Sequence, residues 1–264
     1  MILDAIAATG QSVRGLGGFS ALLTRFTGAV VRSTWSYPST AYRLWWRSVV
    51  NQVRFTAADA VPFIGTVAVV VGAIVIVEAS AQAVKFGLSD TLGRLLASVV
   101  VRELGPLLTA ILVIGRSGTA IAAELAACRV YGETDALEAM GVNPLHYFVL
   151  PRILGVGISV AALTLLFDAV TLSSGLLAAR LIQKISLDDY LGSLQLAMKP
   201  WDIIEVTIKG LVAGMGIAAH CSFEGLRAGR APTEIPRAVT RGVVNSLLFV
   251  VGLAGLFAVL RYVL

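Results

Sequence analysis

Charge is what this sequence has least of. Only 14% of its 264 residues are Asp, Glu, Lys or Arg, while 57% are hydrophobic. A water-soluble domain carries about a quarter charged residues, so much of this surface must face something other than water. Cysteine and histidine are nearly absent. Cys128, Cys221, His146 and His220 are too few for a disulfide framework or a Cys/His metal site. Both thiols fall in or beside apolar stretches and read as small hydrophobes. There is no G-x-x-x-x-G-K-S/T loop, which excludes nucleotide binding by that route. Gly155-Val156-Gly157 does not complete a dinucleotide fingerprint, and Gly115-Arg116-Ser117-Gly118 is not a nucleophile elbow. No carboxylate pair is flanked by a plausible soluble pocket, so the expectation is no catalytic residue, no metal and no cofactor on this chain. Nothing in the sequence points to nucleic acid. The N-terminal stretch lacks the pattern of a signal peptide.

What is abundant is long apolar runs. Five read as membrane-crossing helices, at about 60–80, 104–127, 153–179, 203–223 and 242–261. Roughly 20 apolar residues in a helix cross the hydrocarbon core and satisfy their own backbone there. Ala60–Val77 and Gly242–Leu260 contain no charge at all. Arg116 and Glu124 interrupt the second run and Asp168 the third. The fourth starts either near Ile203, enclosing Glu205 and Lys209, or only at Lys209. Basic residues concentrate before the first run, between the second and third, and between the fourth and fifth. That bias places the N-terminus in the cytoplasm and the C-terminus outside.

Residues 1–57 are expected to form interfacial helices ahead of a five-span domain at 58–264. Leu16, Phe19, Leu23, Phe26 and Val30 share one helical face, with Arg14, Arg25 and Arg32 opposite. Arg43, Arg47 and Arg54 form a second basic stripe beside Trp45 and Trp46, and Pro38 separates the two helices. Basic amphipathic helices of this kind lie in the membrane interface. The bland alternative is a helical domain packed on the membrane portion, which the lack of acidic residues disfavours.

Several polar positions stand out against this background. Arg102 and Glu103 open the second run, just before Pro106, and either contact a lipid headgroup or snorkel to water. Arg116, Glu124 and Asp168 are costly inside a membrane and face a partner or a cavity. They read either as an internal ion pair locking the helices or as an ion relay. Gly210 and Gly214 form a G-x-x-x-G that signals close helix contact. Between the second and third runs, Asp135 and Glu138 resemble a capping box, Gly141 is placed as a C-cap, and Pro144 stops continuation. A short helix at about 133–141 is expected there on the cytoplasmic side. Leu137 and Met140 on it are apolar enough to dock into a partner's groove.

The ordered series Arg102-Glu103-Leu104-Gly105-Pro106, Gly115-Arg116-Ser117-Gly118, Ala123-Glu124, Glu138-Ala139-Met140-Gly141-Val142, Pro144 and Pro151-Arg152 resembles the MlaE/YrbE permease family. Ile235-Pro236-Arg237-Ala238-Val239-Thr240-Arg241 is similar to the family's closing stretch. The resemblance implies an all-α integral membrane protein: five spans after an N-terminal interfacial helix, with a coupling helix. It implies the permease subunit of an ATP-driven ABC transporter moving phospholipid or a related lipid to or from an MCE-protein channel. The implied membrane is the bacterial inner membrane. The implied partners are a second copy of the chain, ABC ATPase subunits holding the ATP and Mg2+, an MCE hexamer, and in some systems a small STAS-domain regulator. Glu133, Asp135, Leu137, Glu138 and Met140 would form the ATPase-coupling helix, and Arg102, Glu103 and Lys209 would lie near the lipid headgroup. The alternative is an ion-coupled secondary transporter using Arg116, Glu124 and Asp168.

Overall fold

A computed structural model describes residues 42–86, 96–183, 192, 194–195 and 198–263. The expected amphipathic helix with Arg14, Arg25 and Arg32 lies outside the described residues. All regular structure among the described residues is helical. Helix α1 spans Tyr42–Thr56 and is joined to α2, Val61–Phe86, by one tight turn at Ala58–Ala60. Helices α3 (Gly105–Val113) and α4 (Thr119–Val130) follow widened π-type turns at Leu96–Leu104 and Ile114–Gly118, so 96–130 is helical throughout. A short α5 spans Glu133–Ala139. After a further wide turn at Leu145–Val149 come α6 (Leu150–Gln183), α7 (Pro200–Leu226) and α8 (Glu234–Val263).

Among the described residues, four helical stretches are long and apolar enough to cross a membrane: Trp46–Val75, Leu145–Leu181, Pro200–Leu226 and Glu234–Arg261. They answer to the first, third, fourth and fifth expected runs. The second, 104–127, is divided between α3 and α4 by the wide turn that carries Arg116. The fourth takes the earlier of its two expected starts. Pro200, preset for a first helical turn, opens α7, and Asp202 accepts from the Lys199 amide at 2.7 Å. Glu205 and Lys209 therefore lie inside the helix.

Helix α6 is the hub, lying against α1, α2 and α7. Phe167, Leu163 and Val156 of α6 are buried with Ile64 of α2, Ile121 and Leu125 of α4, and Ile217 of α7. In lipid the hydrophobic effect does not hold helices together, so close backbone approach must. Gly214 shows it. A Cβ there would sit 2.6 Å from the Val156 carbonyl and 2.9 Å from Gly157 Cα, so no other residue fits without parting α6 and α7. The expected G-x-x-x-G contact is thus present. Hydroxyls in the hub are satisfied locally: Ser159 donates to the Gly155 carbonyl at 2.7 Å and Thr164 to the Val160 carbonyl at 2.8 Å. Helix α8 differs, with Leu248, Val251, Leu256 and Val259 all exposed.

Candidate functional site

Three residues singled out from the sequence meet at one end of the bundle. Arg102 and Glu103 lie in the wide turn leading into α3, and Lys209 lies two turns into α7. Pro106 explains why they need one another. It has no N–H to offer the Arg102 carbonyl four residues back, which a regular helix would satisfy. Lys209 Nζ donates to that carbonyl at 2.9 Å. The same ammonium reaches Glu103 Oε1 at 3.0 Å and Glu205 Oε1 at 2.9 Å. The Glu205 contact is a close charge contact rather than a well-directed hydrogen bond. Arg102 Nη2 donates to Asp202 Oδ2 at 2.6 Å, and that oxygen also takes the Lys199 amide.

Lys209 is only 4% exposed and Asp202 is similarly buried. Charges so placed are tolerated when paired and hydrogen-bonded. Asp202 was not anticipated from sequence, and Glu205 only as a charge that the fourth run encloses with Lys209. The signal for Asp202 was present, since Pro200 at a helix start followed two residues later by an acid marks an N-terminus. Glu205 carried a weaker one, its spacing of four from Lys209.

Arg102, Asp202 and Glu205 of this cluster line a cleft of about 640 Å³ between α7 and the C-terminal half of α8, and Glu103 and Lys209 line a smaller pocket beside it that shares Arg102 and Phe257. Trp201, Ile208, Phe257 and Leu260 supply its apolar lining, and Arg261 and Lys199 stand at its rim. The Phe257 ring lies 5.4 Å from Lys209 Nζ, which adds a cation–π contact. Across cleft and cluster, Arg102, Lys199, Lys209 and Arg261 face Glu103, Asp202 and Glu205. The arrangement joins an apolar trough to a polar wall with a slight cationic excess.

The remaining polar residues are elsewhere. Arg116 and Glu124 do not pair with each other. Arg116 reaches Asp59 at 3.3 Å and the Phe55 carbonyl at 3.3 Å, while Glu124 takes Arg152 Nη2 at 2.7 Å. Asp168 is buried with its carboxyl against Gly105 and no hydrogen-bond partner among the described residues. No hydrogen bond or ion pair among the described residues joins any two of these three.

At the opposite end, α5 starts where expected, at Glu133, but without the expected cap. The capping-box expectation for Asp135 is corrected: the helix begins at Glu133, after Gly132 at φ +78°. The Asp135 carboxylate, inside the first turn, instead takes Arg129 at 2.6 Å and Arg230, from the α7–α8 connection, at 2.7 Å. The C-terminus is as expected. Gly141 at φ +76° donates to the Glu138 carbonyl, and Val142 to that of Leu137, at 3.0 and 2.9 Å. This double closure needs a left-handed residue, a glycine in most helices. Met140 is 69% exposed, Glu133 and Glu138 are exposed, and Leu137 is half-buried. Pro144 opens the wide turn before α6, where the Asn143 side chain accepts from the Leu145 amide at 2.9 Å.

With this geometry in hand, comparison with known proteins is specific. The family model described as "Permease MlaE" matches residues 49–260. The intermembrane phospholipid transport system permease protein MlaE of Haemophilus influenzae is 31% identical over 192 residues, 72% of this chain and 71% of that one. A probable ABC transporter permease protein of Synechocystis is 30% identical over 203 residues, 76% of this chain and 77% of its own. The Arabidopsis thaliana chloroplastic protein TRIGALACTOSYLDIACYLGLYCEROL 1 is 29% identical over 206 residues, 78% of this chain. Those residues span 59% of the Arabidopsis protein's length.

Proposed function

The chain belongs to the MlaE permease family, and from that footing we propose that it is the membrane subunit of an ATP-driven transporter that passes phospholipid between the inner membrane and an MCE-protein channel. The observation that carries the reading is the charged cluster of Arg102, Glu103 and Lys209 beside an apolar-lined cleft whose polar wall is Arg102, Asp202 and Glu205. A phospholipid has the matching halves, an anionic headgroup and apolar chains. The permease itself is not an enzyme; ATP and Mg2+ belong to separate ATPase subunits.

In this reading the helical run 96–130 is the fifth crossing, shielded by its neighbours. The residues 104–127 span the hydrocarbon, and the end bearing α5 faces the cytoplasm. The exposed apolar face of α8 meets a second copy of the chain, which closes the cleft into a shared cavity. Helix α5 is the coupling helix. Its exposed Met140, Glu133 and Glu138 meet the ATPase, while Asp135 ties it to α4 and to the base of α8 through Arg129 and Arg230. A push on α5 then reaches the helices that wall the cleft, which is the differential contact a two-state switch requires.

The test is reconstitution of the chain with its ATPase and MCE partners in proteoliposomes, following transfer of a fluorescent phospholipid. Transfer is expected to need ATP and to fall at least about tenfold with Lys209→Met, a loss matching about 1.4 kcal/mol. Transfer driven by an ion gradient, with the ATPase absent, would overturn the reading in favour of an ion-coupled carrier.

A further inference from the structure

A second cavity, of about 330 Å³, lies at the α5 end of the bundle, between α1, α4 and the turn that opens α6. Its charged floor is the Arg152–Glu124 pair. Arg152 is 8% exposed, donates through Nη1 to the Phe148 carbonyl at 3.0 Å, and lies over the Phe148 ring at 5.5 Å. Two of its five N–H groups thus have named protein partners. The Glu124 side chain is 61% exposed, and Arg152 is its one ionic or hydrogen-bonding partner among the described residues. A carboxylate has about four lone-pair sites, so Glu124 has acceptors to spare. Ser48 and Asn51 of α1 and the Tyr147 ring complete the wall.

The chemistry of this cavity differs from that of the cleft. A bare anion brought to Arg152 meets Glu124, and a bare cation brought to Glu124 meets Arg152. A group carrying both charges a few ångströms apart meets no like charge. The neighbouring α1 exposes Trp46 and carries Arg47 and Arg54, the composition of a helix lying at headgroup level. We propose that this cavity binds the zwitterionic headgroup of a phospholipid, its ammonium on Glu124 and its phosphate against Arg152. It is a second lipid site, in the leaflet on the α5 side. The proposal rests on the reading that the chain crosses a bilayer and handles phospholipid, and it adds a preference among phospholipids that the cleft does not supply.

The test uses the full chain in maltoside micelles with a bimane fluorophore attached at Ser48→Cys on the cavity wall. Cys128 and Cys221 are buried, so the label goes to the rim. The probes are dihexanoyl phosphatidylethanolamine, dihexanoyl phosphatidylglycerol and inorganic phosphate. The zwitterionic lipid is expected to shift the emission at the lowest concentration. Glu124→Gln should raise its midpoint about tenfold, since a charge-assisted hydrogen bond is worth about 1.5–3 kcal/mol. It should lower the phosphatidylglycerol midpoint, because the like charge that opposes a bare anion at Arg152 is gone. Asn51→Trp, an exposed position on α1, fills the cavity without touching the ion pair and should abolish the shift.

Equal midpoints for the two lipids, or an Asn51→Trp chain that still responds, would overturn the proposal. So would inorganic phosphate acting as well as the lipid, which would leave only an anion site. The titration needs neither ATPase nor MCE protein. Its failure leaves the transport reading standing, and failure of ATP-driven transfer leaves this site measurable.

Discussion

At the cleft end Lys209 is 4% exposed, and its ammonium is bound to a backbone carbonyl and two carboxylates. At the α5 end the Arg230 side chain is 76% exposed and reaches a single carboxylate, Asp135. The bond lengths are alike, and the surroundings are not. Removing one partner from a buried set strands the others in a medium that does not solvate them, at a cost of about 3–5 kcal/mol. An exposed pair trades its partner for water and contributes about 0–1 kcal/mol. The cleft end is therefore built to stay as it is, and the α5 end to be remade without much loss.

The widest separation between the ends comes from Lys209→Met. It leaves Glu103 and Glu205 without their cation, removes the ammonium from the Arg102 carbonyl, and is expected to cost about 3–5 kcal/mol, read as a lowered unfolding midpoint in detergent. An unchanged midpoint would erase the contrast.

A sharper and smaller effect isolates the backbone bond. Pro106→Ala restores an N–H four residues after Arg102, so the Lys209→Met loss should shrink by about 1 kcal/mol in that background. Additive effects of the two substitutions would mean that the bond from Lys209 to the carbonyl contributes nothing.

Smallest of all, Arg230→Ala should cost less than about 1 kcal/mol, and less still at high salt. Its mark should be faster amide hydrogen exchange across α5, which has lost its tie to the α7–α8 connection. Unaltered exchange would show that Arg129 alone anchors that helix.

The parts legible in the sequence were those set by local pattern. Apolar runs located four long helices, and Gly141 located the end of α5 because a left-handed closing residue is a local demand. The meeting of Arg102 and Glu103 with Lys209 came from resemblance, as residues 106 positions or more apart carry no shared period. What escaped was pairing across elements. Arg116 and Glu124, eight apart, suggested one another, yet each found a partner on a different helix, Asp59 and Arg152. Asp135 read as a cap because its spacing to Glu138 fits one, but Gly132 had already turned the chain, and the carboxylate was free to face Arg129 and Arg230. The exposed face of α8 was invisible for another reason: a helix apolar on all sides shows no preferred face in its sequence.

The ammonium of Lys209 has three hydrogens, and three oxygens already surround it within 3.0 Å. No newcomer finds it vacant. An anion approaching this ammonium would have to evict one incumbent, and Glu103, its side chain 34% exposed, is the one that water would readily take in exchange. The carbonyl of Arg102 cannot leave without bending its helix. Any exchange at Lys209 would therefore be an exchange of Glu103 for another anion, felt at once by the turn that starts α3.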